Sequence, residues 1–138
     1  MNKKYLFVLS LAIQLLTLIL LATGSSLLVK PMFGGALPWG NLLTALLLTL
    51  FPVNFLMVQR SSVVPFVPLL IYRVCVYLGL LLGAGWLFVS YVLAGNWNTT
   101  FQGGDVNQRI WTYYTYAAAI LPFAGYFLMK LLSNFLKK

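Results

Sequence analysis

Acidic side chains are almost missing from this sequence. Among its 138 residues Asp105 is the only carboxylate, and there is no histidine. Proton relays and cation-coupled carriers ordinarily place acids inside the membrane, so a self-contained proton-coupled carrier is not expected. Without histidine, His-ligated haem, His-bound metals and imidazole acid–base chemistry are excluded within the chain. One cysteine, Cys75, leaves no internal disulfide and no thiolate metal cluster. Paired carboxylates, a Ser–His arrangement, a CxxC and a phosphate-cradling glycine loop are likewise missing; Gly34-Gly35 and Gly103-Gly104 are isolated pairs. The sequence therefore leads us to expect no catalytic residues, no cofactor and no metal.

Charge of either sign is scarce. Charged residues make up 7% of the chain and hydrophobic ones 62%, where a soluble domain carries about 25% charged residues. Such a chain cannot cover a water-facing surface, and lipid is its natural solvent. The net charge of +8 does not point to nucleic acid. The basic residues stand singly or in pairs between apolar runs, whereas a phosphate-tracking patch needs them close together.

What is present is apolar sequence in lengths that suit a bilayer, which takes about 20 residues per helix. Four spans are expected, at residues 5–22, 40–58, 74–94 and 110–132, in one membrane domain covering 1–138. The first follows Lys3 and Lys4 and resembles a signal peptide, but its apolar run is longer than a signal core, so a retained anchor is expected. Segment 25–39 holds Pro31, Gly34, Gly35 and Pro38 among apolar residues, which suggests a connection lying in the interface. A helix from Val63 to Gly95 would reach about 50 Å against a hydrocarbon core of about 30 Å. Segment 61–72, with Pro65 and Pro68, is therefore assigned to the interface and the crossing to 74–94. Pro52 and Pro122 fall inside the second and fourth spans, where a kink is expected.

The positive-inside rule sets the orientation. With both termini in the cytoplasm, Lys3, Lys4, Arg60, Arg73, Lys130, Lys137 and Lys138 lie inside, and only Lys30 and Arg109 outside. Trp39, Trp97, Trp111, Tyr113 and Tyr114 then fall near the outer headgroups, where such rings are favoured. Asn98-Thr99-Thr100 is a glycosylation sequon on the outer side. The short basic start suggests a bacterial inner membrane, where no glycan is expected.

A few residues are candidates for more than lipid contact. Gly79 and Gly83 form a Gly-x-x-x-Gly pair, and Ala118 and Gly125 share a face of the fourth span; both sets let another helix approach closely, from this chain or a partner. Gln14, Asn54 and Arg73 are the polar intramembrane candidates. Asn54 sits beside the expected kink at Pro52, and Arg73 is placed at the inner edge with its stem in the apolar layer. Thr17, Thr44 and Thr49 are further uncharged groups within spans. Cys75 is expected to pack as a small hydrophobe. Asp105, three positions before Gln108, is expected to cap the fourth helix.

The expected fold is all-α: a compact four-transmembrane-helix bundle with short loops. The expected function is non-enzymatic, an accessory or structural subunit packing within a larger membrane complex. A small oligomeric transporter or channel, and a membrane immunity or exclusion protein, are the alternatives. The expected partners are the lipid bilayer and other integral membrane proteins or further copies of the chain.

Overall fold

A computed structural model of the chain describes residues 3–58, 64–97 and 101–136. Arg60, the sequon Asn98-Thr99-Thr100, Lys137 and Lys138 lie outside the described residues. The fold is all-helical, with four helices long and apolar enough to cross a membrane: α1 (Lys3–Ala22), α2 (Trp39–Val58), α3 (Phe66–Ala94) and α4 (Gly104–Leu136).

Helix α1 ends in a glycine motif. Gly24 takes a φ of 59°, its N–H donates to Leu21 O at 3.2 Å, and Ser25 N–H donates to Leu20 O at 3.1 Å. This pairing satisfies two of the last carbonyls of the helix. The connection to α2 contains two short 3₁₀ turns, Ser26–Val29 and Met32–Gly34. It closes on itself through Met32 N–H to Leu37 O (2.8 Å) and Trp39 N–H to Lys30 O (3.1 Å). Phe33 stands at its tip, 89% exposed, with a φ of 50°.

Two expected boundaries are refined. Residues 66–72 are helical and continuous with 74–94, as the first turns of α3, which runs unbroken for 29 residues, roughly 43 Å. Pro65 occupies the N-cap position and Pro68 falls in the first turn. Proline is tolerated there because those N–H groups have no partner within the helix. The fourth helix begins at Gly104, one residue before the Asp105 expected to cap it, so that Asp105 stands in its first turn; the apolar span expected from 110 is its continuation. Gly104 has a φ of 75°, which glycine adopts at no steric cost. A carboxylate in the first turn still meets the positive end of the helix dipole.

The helices do not form an evenly closed four-helix bundle. Helix α3 packs on both α4 and α2, α2 also touches α4, and α1 packs on α2 and the first 3₁₀ turn. The result is a three-helix core with α1 on its flank. Within the core, Leu69, Tyr72, Val76 and Met129 form one buried cluster, and Leu48, Trp86 and Ala118 another.

Prolines and glycines explain how closely the core helices approach. Pro52 has no N–H, so the Leu48 carbonyl loses its intrahelical donor; Pro122 does the same to Ala118. Both prolines are fully buried. On α3, a Cβ added to Gly83 would run into the Leu48 carbonyl, and one added to Gly79 would lie 2.8 Å from Pro122 Cγ and 3.7 Å from Ala118 O. The freed Leu48 carbonyl therefore faces Gly83, while Gly79 packs chiefly against the Pro122 ring, with Ala118 O farther off. One Gly-x-x-x-Gly pair serves two neighbours, with Gly83 turned to α2 and Gly79 to α4. On α4, a Cβ at Gly125 would lie 2.5 Å from Cys75 Cβ.

Gly83→Ala is expected to lower unfolding stability in detergent by roughly 1–3 kcal/mol, the usual cost of overpacking. The exposed neighbour change Ala84→Val should stay within about 0.5 kcal/mol. Equal effects from the two would contradict this packing.

Candidate functional site

Among the described residues, the buried polar side chains of the four helices divide into those already satisfied and two that are not, the Asn54 amide and the Ser133 hydroxyl. Several threonines bond back to their own helices, as Thr17 Oγ1 donates to Ile13 O (2.9 Å), Thr44 to Gly40 O (2.8 Å) and Thr49 to Ala45 O (2.7 Å). Such bonds leave little for a ligand. Between helices, Tyr72 Oη donates to Phe55 O (2.6 Å) and Tyr114 Oη to Leu82 O (2.8 Å). Trp86 Nε1 donates to Thr115 Oγ1 (2.8 Å) and Trp111 Nε1 to Ser90 Oγ (3.0 Å). These side chains stitch α3 to α2 and α4. Tyr114 and Trp111 were expected among outer-headgroup aromatics; their polar atoms instead bond to α3.

Helix α1 turns its polar side inward. Ser10, Gln14 and Thr17 are its buried residues, one helical face at i, i+4 and i+7, while most of its leucines are exposed. This is the sense expected where lipid is the surrounding solvent. Gln14 Nε2 donates to Ser10 Oγ at 3.2 Å.

Asn54 differs from all of these. It is 6% exposed, and neither its Nδ2 nor its Oδ1 has a hydrogen-bond partner. It forms part of the wall of a cavity of about 410 Å³ where all four helices meet, with Gln14 on α1 and Tyr72 on α3 also lining it. Most of the remaining wall is apolar and aromatic, including Phe7, Leu11, Phe51, Phe55 and Met129. Phe51, Phe55 and Phe123 cluster beside it, with ring centroids 4.7–5.4 Å apart. Tyr126 completes one side, and Lys130 Nζ lies 5.2 Å over its ring. Apolar walls with a few polar groups are the usual make-up of a small-molecule site.

A second cavity, about 520 Å³, lies toward the other end of the bundle, lined in part by Asn41, Thr44, Trp86, Ser90, Trp111 and Thr115. It shares no lining residue with the first. Its polar atoms are largely paired, as described above, and Asn41 Nδ2 donates to Trp97 O at 3.3 Å.

Comparison with protein families, curated proteins and solved structures finds no match to this chain.

Of the residues singled out from sequence, Gln14 and Asn54 come together in the inner cavity. Arg73 does not join them; it is exposed on α3 while its buried neighbour Tyr72 lines the wall. Gly79, Gly83, Ala118 and Gly125 are all buried in contacts within the chain. Asp105 is far along α4, in a first turn that takes no part in this cavity. Among the described residues no group of three or more His, Cys, Asp or Glu could hold a metal ion. Sequence reasoning missed Tyr72, Trp86 and Ser10. The available signal was chemical: a buried Tyr or Trp needs a partner for its polar atom.

A buried amide without partners costs about 1–3 kcal/mol. Asn54→Leu is therefore expected to raise the unfolding stability of delipidated protein by an amount of that order. Lower stability in this variant would show that the amide is satisfied within the fold.

Proposed function

We propose that this chain is a non-enzymatic accessory protein of a membrane, and that the cleft beside Asn54 is its working part, where it holds an amphiphilic guest for a larger membrane assembly. The observation that carries the reading is a largely apolar cavity with Gln14, Asn54 and Tyr72 among its lining residues, the Asn54 amide having no partner within the chain. Evolution toward stability alone favours an apolar residue at such a position. An amide kept there fits a partner that arrives from outside the chain.

The orientation we propose puts both termini in the cytoplasm of a bacterial inner membrane. The basic residues are concentrated at one end of the bundle in support of this. The helical rise from Arg73 to Ala94 is roughly 31 Å, close to the thickness of a hydrocarbon core. That spacing supports Arg73 at the inner edge and, with it, the Asn54 cavity in the inner half. The transport alternative has less support, because the two cavities share no lining residue and Leu48 meets Gly83 at backbone contact between them.

Purification in mild detergent followed by native mass measurement tests the proposal. Wild-type protein is expected to carry a small non-covalent guest and to bring a second integral membrane protein with it, and Asn54→Leu to lose the guest. A lone, empty wild-type monomer contradicts it.

A further inference from the structure

We propose that the face of α4 carrying Asp105 and Arg109 binds the headgroup of a phospholipid that ends in a primary ammonium. This goes beyond the cleft-binding reading, since the groove on that face shares no lining residue with the Asn54 cavity. It requires only that α4 crosses a bilayer.

Asp105 is the residue that the fold leaves unexplained. It is the only acid of the chain. It is exposed, and so is Arg109 one turn along the same face. An Asp and an Arg at this spacing commonly pair, yet among the described residues neither side chain has an ion-pair or hydrogen-bond partner. A groove of about 520 Å³ runs past both and is lined by α4 alone, with Tyr113 and Tyr116 farther along it. The tyrosines are 71% and 59% exposed, so all four side chains are open to a ligand.

Depth orders these groups. Between Arg109 and Lys130 no residue is charged, and the helical rise is roughly 31 Å, the thickness of a hydrocarbon core. Arg109 therefore stands at the edge of that core, where its guanidinium reaches the lipid phosphates. Asp105 lies roughly 6 Å farther out and Tyr113 roughly 6 Å farther in. An ethanolamine phospholipid presents its own groups in the same order: ammonium outermost, then phosphate, then ester carbonyls and acyl chains. Arg109 donates to the phosphate oxygens. The Asp105 carboxylate accepts from the ammonium N–H groups. The tyrosines offer hydroxyls to the esters and ring faces to the chains.

Rival headgroups match this order less well. A quaternary ammonium has no N–H to donate to Asp105. The aromatic rings that favour it stand on the wrong side of Arg109, at the depth of the esters. A glycerol headgroup brings no cation, and its phosphate repels the carboxylate.

The test uses full-length, delipidated protein in non-ionic detergent, with binding read by native mass spectrometry. The probes are phosphatidylethanolamine, phosphatidylcholine and phosphatidylglycerol, each with palmitoyl and oleoyl chains, and soluble phosphorylethanolamine. Expected is phosphatidylethanolamine at least fivefold tighter than either other lipid, and no binding of phosphorylethanolamine. Asp105→Asn should bring the ethanolamine and choline lipids within twofold of one another. Arg109→Gln should weaken the ethanolamine lipid fivefold or more. The exchange Asp105→Arg with Arg109→Asp keeps both charges but inverts their depth, and should abolish the preference. Asn54→Leu should leave it unchanged. Equal binding of the three lipids to wild type overturns the inference, and that ranking stands as a test even where a variant fails to fold. A preference that survives the exchange, or is lost in Asn54→Leu, also overturns it. So does soluble phosphorylethanolamine binding as tightly as the lipid, or a second protein or further copy of the chain that covers this face and leaves no lipid preferred.

Discussion

Two buried prolines set the terms for this fold. Proline inside an apolar helix removes a hydrogen bond that an apolar surrounding cannot replace. Here the Leu48 carbonyl freed by Pro52 is brought against the bare Cα of Gly83, and the Pro122 ring against Gly79, both on α3. The helices approach too closely for a side chain at these two positions, and only glycine permits that. The order of contacts follows: α3 is central, α2 and α4 lie on either side of its glycine pair, and Tyr72, Trp86, Trp111 and Tyr114 fasten the three helices with their polar atoms.

Helix α1 has no part in this arrangement. It presents Ser10, Gln14 and Thr17 inward and rests mainly on α2. Because the core is complete without it, the space where α1 meets the other three helices is not filled by tight packing. The cavity forms there, with Asn54 among its lining residues and the Asn54 amide without a partner.

Much of the architecture was legible in the sequence because hydrophobic run length is a strong signal in a chain with so few charges. All four apolar helices were expected. The boundaries of α3 and α4 were harder. Pro65, Pro68 and Arg73 look like interruptions, but prolines in a first turn interrupt nothing, and an exposed arginine on a helix flank is no break. Residues 104–109 are polar and lie outside the apolar run, but Asp105 and Gln108 marked the start of α4 to within a residue. The flanking position of α1 was not legible, since lipid-facing and protein-facing residues are equally apolar. Asn54 was visible as a polar residue beside a proline. That its amide lacks a partner depends on which helices meet, and no spacing along the chain encodes that. The glycine pair was recognised, but not its division between two neighbours, which depends on the positions of prolines on other helices.

The central claim is that the Asn54 amide is unpaired within the chain and is satisfied by a guest. Nuclear magnetic resonance of the ¹⁵N-labelled asparagine side chains, with the Asn54 signal assigned by its loss in Asn54→Leu, observes that amide directly. On adding membrane lipids to delipidated protein in non-ionic detergent, the account predicts that the Asn54 side-chain proton signals move downfield as a hydrogen bond forms, while those of Asn41, already bonded to Trp97 O, stay in place. An Asn54 signal already in the hydrogen-bonded range before addition, and unmoved after it, would contradict the account.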